Sequence, residues 1–297
     1  MSRPGAVVEE EETAEPVELE DEQELEAEED GLSAHELFWR SGILNVLAIA
    51  RRDLGAFFVS PVGWVVGTLI IVPVSLYGYL GPVLIQQQAS MSQVFDLLAN
   101  FLLPLLVPIY TMRLLAEERR TGTLEIMLTS PVRDWELVVG KWLGAFVFFL
   151  ATIAFTLVYV GLLAYFFPER ANVGFLGLPV HIATLDWGSI LTGYVGLLLA
   201  GGSFVAIGLF ASSLTQNQIV AAMVGFVLLL LIWYLGSVLG VFLQPPVGSF
   251  FQYVSGYNHY SNFAQGQIVL KDVVYFLTLT AAALFIATRV LESRKWR

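Results

Sequence analysis

The chain contains no cysteine in 297 residues. Disulfides, thiol catalysis and thiolate metal sites are therefore excluded. It also has no G-x-x-x-x-G-K-[ST] phosphate loop, so it lacks the cradle with which such a loop hydrolyses ATP. Charge is scarce: 14% of residues are charged against 56% hydrophobic, and mean hydropathy is +0.70. A chain this apolar is too greasy for a water-soluble domain of its length. The composition predicts an integral membrane protein with no nucleic-acid partner.

The charge that is present is unevenly placed. Residues 1–36 hold 15 acidic side chains against the single Arg3, a net of −14, and the remainder carries +3, giving −11 in total. A like-charged block with no apolar period cannot bury enough surface to offset its ordering entropy, so 1–36 is expected to be a disordered acidic cytoplasmic tail. It is either a solvated extension or a contact for a basic partner surface. The start has neither a basic flank nor an apolar run, so a secretory signal is not expected.

From Ile43 an apolar spacing of three and four sets in, through Leu47, Ala50, Leu54, Phe57 and Phe58, with Asn45 and Arg52 opposite. This predicts an amphipathic elbow helix on the membrane surface that includes Arg51 and Arg52 and is ended by Ser60 and Pro61, with Trp64 marking the interface. Six spans follow, at roughly 64–84, 94–112, 142–167, 188–211, 219–242 and 272–290, each offering about 20 largely apolar residues. With both termini inside, twelve Lys and Arg fall on the cytoplasmic side and only Arg170 and Lys271 outside, which sets the orientation.

Ionisable groups are missing from the span centres, since Asp96, Asp186, Lys271 and Asp272 all stand at span ends. That argues against a proton- or sodium-coupled carrier and against an intramembrane enzyme. The fourth span carries small residues four apart, Gly196 with Ala200 and Gly202 with Ala206, a spacing that lets helices approach closely or lines a path.

Two polar stretches remain. The first, 113–141, is too charged for lipid and must stand in water between the second and third spans. Thr121, Gly122 and Thr123 break its helical pattern. Leu124, Met127 and Leu128 then share a face with Glu125 pointing away, which reads as a short amphipathic helix at the membrane surface. Ser130 and Pro131 have the chemistry of an N-cap and first helical position for the next helix. The stretch is either an ordinary positive loop or a docking element. The second, 244–267, is too polar to cross and too aromatic for a plain loop; Phe250, Phe251, Tyr253, Tyr257, Tyr260 and Phe263 suit short helices at the outer interface. His259 stands alone among them, and a histidine so placed is a hydrogen-bonded residue more often than a metal ligand, so no metal site is expected.

Three stretches together resemble the permease subunit of type-2 ATP-binding cassette (ABC) exporters, in the branch of the gliding-motility and nitrous-oxide-reductase-maturation permeases. They are ARRDLGAFFVSPVGWVV, AEERRTGTLEIMLTSPVRDWELVVGK and GLFASSLTQNQIVAA, with YNHYSNFAQGQIVLKDVVYF a fourth. The resemblance implies a six-span permease domain over 37–297, all-α, with an interfacial elbow helix, a cytoplasmic coupling helix and short outer-face helices before the last span. It implies that Glu117, Glu118, Arg119 and Glu125 make polar contacts with a separate ATPase subunit, that Leu124, Met127 and Leu128 form the apolar seat, and that Thr121, Gly122 and Thr123 set the bend. ATP and Mg would be bound by that partner and no cofactor by this chain. A second permease copy or paralogue, surrounding membrane lipid, an outward-facing auxiliary subunit and a prokaryotic cell membrane complete the implication. An anchoring subunit that moves nothing is the alternative.

Overall fold

The computed structural model describes residues 34–78, 80, 90–124, 132–166 and 186–293. Most of the acidic tail lies outside the described residues, as do Glu125, Met127, Leu128, Ser130, Pro131, Arg170 and His181. Two units divide between Leu44 and Asn45, and the second, Asn45–Arg297, holds every long apolar helix among the described residues.

Among the described residues no strand occurs, and six helical stretches are long and apolar enough to cross a membrane: Pro61–Gly78, Ser92–Thr121, Asp134–Tyr165, Trp187–Leu214, Gln218–Phe242 and Leu270–Glu292. Each overlaps one expected span. A leading helix, α1 (Ala34–Val59), precedes them. The first span is α2 (Pro61–Pro73), begun by Ser60, whose hydroxyl accepts from the Val62 amide, with Pro61 in the position that needs no N–H. The second comprises α3 (Ser92–Leu97), a wide π turn (Leu98–Leu102), α4 (Leu103–Thr111) and α5 (Arg113–Thr121). The third is α6 (Asp134–Ala154) with α7 (Leu157–Phe166), and the fourth is α8 (Trp187–Leu214). The fifth joins α9 (Gln218–Leu230), a second π turn (Leu231–Leu235) and α10 (Gly236–Phe242). Two short helices, α11 (Val247–Val254) and α12 (Gly256–Ala264), lead into the sixth span, α13 (Leu270–Glu292).

Helix α8 is the centre. It touches α4, α5, α6, α9, α12 and α13, and its small residues are what allow this. A Cβ on Gly196 would lie 2.6 Å from Cβ of Phe263, and one on Gly193, Gly201 or Gly208 would collide with Phe95, Phe149 or Thr111. Gly202, by contrast, has room to 3.4 Å from Phe146, and its carbonyl accepts from Trp142 Nε1 at 2.9 Å. The small residues therefore serve close approach, and the tightest contacts include positions the four-residue spacing did not mark.

Three sequence expectations change. The stretch 113–141 is mostly helix continuous with the spans: α5 prolongs the second span to Thr121, and α6 opens at Asp134. The second span thus runs 30 residues, about 45 Å at 1.5 Å per residue, well beyond the roughly 30 Å of hydrocarbon. Hydropathy hid this because RLLAEERRT is polar, yet its residues are good helix formers. Val132 and Arg133 are not helical, so the described helix of the third span opens at Asp134, where the Glu136 carboxylate accepts from the Arg133 amide at 3.2 Å; Ser130 and Pro131 themselves lie outside the described residues. On α1 the buried line is Val46, Ala50, Asp53 and Phe57, whereas Ile43, Leu47 and Phe58 are exposed. The helix is apolar on both sides, so spacing alone could not choose the face that meets the protein.

Candidate functional site

Helix α1, the extension α5 and the base of α6 meet in a junction built from charge. Gly140 and Gly144 of α6 let α1 come close: a Cβ at Gly140 would lie 2.9 Å from Ile49 Cβ, and one at Gly144 2.8 Å from the Ala50 carbonyl. That approach brings Asp53 over Lys141. The lysine ammonium donates to Asp53 Oδ2 at 3.1 Å and pairs with Glu118 Oε1 at 2.7 Å, while its side chain is only 2% exposed. Arg52 closes the ring, its Nε and Nη2 donating to Asp53 Oδ1 at 2.9 and 2.7 Å and its Nη2 to Glu118 Oε1 at 3.0 Å.

Burying an ammonium costs several kcal/mol, and only well-placed counter-charges offset it. Lys141 has two, and the quartet Arg52, Asp53, Glu118 and Lys141 sums to zero charge. Half-burial alone would lower the Arg52 guanidinium, but Asp53 and Glu118 outweigh it and hold the group above its ordinary value.

Neighbouring contacts fix the same three elements. Arg113, at the start of α5, donates through Nη1 to the Ser60 hydroxyl at 2.8 Å and through Nε and Nη2 to both oxygens of Glu117, at 2.7 and 3.2 Å. Glu136, 2% exposed, accepts from Asn45 Nδ2 at 3.1 Å. Phe57 stacks on Phe148, ring centres 4.9 Å apart, and meets Tyr110 edge-on. Where α4 gives way to α5, Ser212 of α8 enters the backbone ladder. Its hydroxyl accepts from the Leu115 and Ala116 amides at 3.1 and 3.0 Å and donates to the Met112 carbonyl at 2.8 Å. A side chain inserted this way is a defined cause of a helix bend.

The residues read as coupling positions separate into two groups. Glu118 turns inward to Lys141 and Arg52, Glu117 is closed on Arg113, and Arg119 donates to the Ser213 carbonyl at 2.6 Å. Thr121, Gly122 and Thr123 are exposed and Leu124 is buried. Gly122 has φ of 74°, a left-handed conformation that ends α5, and Thr123 and Leu124 are helical again beyond it. On the elbow, Arg51 is exposed, Leu54 is partly buried, and Pro61 is the first residue of α2.

The opposite end of α8 is held differently. His259 lies between Asp272, 2.6 Å from Nδ1, and the Tyr253 carbonyl, 2.7 Å from Nε2, and stacks on Tyr275. Asn262 Nδ2 donates to the other Asp272 oxygen at 2.7 Å. Tyr260 and Phe263 are buried beside it, Phe251 is half-buried, and Phe250, Tyr253 and Tyr257 are exposed. Trp233 donates to Asn100 Oδ1 at 3.0 Å and Tyr234 to the Asn100 carbonyl at 2.7 Å. Pro104 has no N–H to give that carbonyl, which is why a tyrosine supplies it. Among the described residues no group of three His, Asp or Glu could hold a metal ion.

Sequence reasoning missed the junction's hub. Lys141 was only a topology count, and Asp53, Asn100 and Ser212 were not singled out. The one signal for Lys141 was a lone cation at the mouth of an apolar run.

A family model described as ABC-2 family transporter protein matches residues 47–295. Relatives include the protein named "Probable multidrug ABC transporter permease YbhR" in Escherichia coli strain K12 and in E. coli O157:H7, each 30% identical over 168 residues. The match covers 56% of this chain and 40% of each relative's length. With its family match spanning all six apolar spans, the chain belongs to the ABC-2 family transporter proteins.

Proposed function

We propose that the chain is the permease subunit of an ABC exporter, driven by a separate ATPase subunit that docks on the stretch between α5 and α6. The observation that carries this reading is the quartet of Arg52, Asp53, Glu118 and Lys141. An extension standing beyond the hydrocarbon is useful as a lever only if its displacement reaches the spans. Here α5 cannot move without taking α1 and α6 along or separating a buried ion pair, which costs about 3–5 kcal/mol. ATP and Mg belong to the partner. Six spans enclose little pathway alone, so a second copy or a paralogue completes the route. Both termini face the cytoplasm of a prokaryotic cell, in accord with the excess of Lys and Arg at the α5–α6 end. Resemblance to gliding-motility and nitrous-oxide-reductase-maturation permeases supports that branch, and the probable multidrug permease named among the relatives supports an ABC transport role. An outward-facing auxiliary subunit would meet the α11–α12 segment.

Docking and transmission separate experimentally. Leu128→Asp should abolish co-purification of the ATPase subunit. Glu118→Gln should leave its recovery intact while lowering the response of ATP hydrolysis to transported substrate. Loss of the subunit in the Glu118 variant alone would overturn this division of labour.

A further inference from the structure

The C-terminus of α11 is closed by side chains. The carbonyls of its last residues, Gln252, Tyr253 and Val254, accept from Asn258 Nδ2 at 2.9 Å, from His259 Nε2 at 2.7 Å and from the Tyr275 hydroxyl at 2.7 Å. The middle bond fixes the chemistry of the imidazole. A carbonyl can only accept, so Nε2 carries hydrogen. The other ring nitrogen, Nδ1, lies 2.6 Å from Asp272 Oδ1. A neutral ring with hydrogen on Nε2 has a bare lone pair at Nδ1, and a carboxylate oxygen has no hydrogen to offer it. The contact therefore needs one proton between Nδ1 and Oδ1, whichever atom holds it.

The surroundings favour that proton. His259 is 4% exposed and Asp272 0%. An ionised Asp272 beside a neutral ring would leave a buried charge uncompensated, whereas the protonated pair is neutral. The ring sits at the negative, C-terminal end of α11 and stacks on Tyr275 with centres 4.0 Å apart, and both positions attract a cation. Asn262 already fills Asp272 Oδ2, which leaves Oδ1 to the ring. Around the pair, the phenols of Tyr234, Tyr253, Tyr257, Tyr260 and Tyr275 are uncharged below about pH 9. The charged groups on the packed elements, Lys271 of α13, Asp96 of α3 and Asp186 at the head of α8, are exposed.

We propose that His259 and Asp272 form a proton-binding site, and that its single proton fastens α11 and α12 to α13. With the proton in place every polar atom of the pair has a partner. Without it two lone pairs face each other at bonding distance, the joint opens, and α11 is freed because its Tyr253 carbonyl is tied to the same ring. The fastened arrangement holds the proton and the released one does not, so acid closes the joint and alkali opens it. In the orientation proposed above, the site reads acidity on the outer side. The proton site itself does not depend on ATP-driven export.

The test follows two readouts in the full chain in detergent micelles from about pH 5 to about pH 9, a range that spans the ordinary histidine value. Ring-nitrogen resonances of isotope-labelled histidine report the proton, with those of His259 identified by their loss in His259→Gln. Hydrogen exchange, corrected for the intrinsic pH dependence of amide chemistry, reports the joint. Protection of α11 and α12 should fall about tenfold as pH rises, the effect of losing one hydrogen bond, at the same midpoint as the ring signal and with α8 unchanged. In Asp272→Asn a carboxamide N–H can meet Nδ1 of a neutral ring, so protection should start below that of the wild type and no longer respond to pH. Protection that stays constant across the range in the wild type, a fall at a midpoint different from that of the ring, or an undiminished pH response in Asp272→Asn would each overturn the proposal.

Discussion

The two ends of the central helix are stitched in contrasting ways. Near Leu214 the neighbouring elements are joined by charges that each serve more than one partner: Lys141 meets Asp53 and Glu118, and Arg52 meets the same two. Near Trp187 they are joined by directional hydrogen bonds, such as those of His259 and Asn262 to separate oxygens of Asp272 and that of Thr192 to the Phe263 carbonyl. A buried shared charge ties together every element that bears one of its counter-ions, because pulling any of them away leaves a charge uncompensated. A hydrogen bond aimed at one acceptor weakens steeply when bent. The first kind of seam makes the elements it joins move together, and the second holds a local shape.

Substitutions can break this contrast in order of size. Lys141→Met leaves Asp53 and Glu118 facing each other with only Arg52 between them and should cost about 3–5 kcal/mol, read by thermal unfolding in detergent. A matching loss should not occur in Lys141→Met combined with Glu118→Gln, where Asp53 still pairs with Arg52 and no uncompensated charge remains in the quartet. Asp272→Asn at the other end keeps the shape but disturbs the bonds to His259 and Asn262. It should cost about 2 kcal/mol, with increased hydrogen exchange confined to α11 and α12. Glu292→Gln removes an exposed partner of Arg289, 63% and 38% accessible, and should change stability by less than about 1 kcal/mol in the same unfolding assay.

Much of the architecture could be read before the fold was seen, because spans advertise themselves by length and apolarity. Their ends could not. Helix α5 is polar and continues a span that hydropathy closes near Met112, and its bend depends on Ser212, 100 residues away from its acceptor carbonyl. The buried face of α1 contains Asp53, a residue no apolar template would place inward, and it is there because Lys141 waits 88 positions on. The aromatic segment 244–267 was recognisable as helical interface material, yet which rings turn inward depends on Asp272 and Trp233. In each case local pattern gave the element, and a distant polar partner gave its orientation.

The central claim is that the α5 lever and the α1 elbow move as one body. Because the chain has no cysteine, Leu47→Cys and Thr123→Cys can carry a pair of spin labels without background, and pulsed electron paramagnetic resonance can read their separation in the complex with the proposed ATPase subunit. The distance distribution should be the same with and without ATP in the otherwise wild-type chain, and should shift with ATP once Lys141→Met is added. An ATP-dependent shift of equal size with Lys141 present would contradict the account.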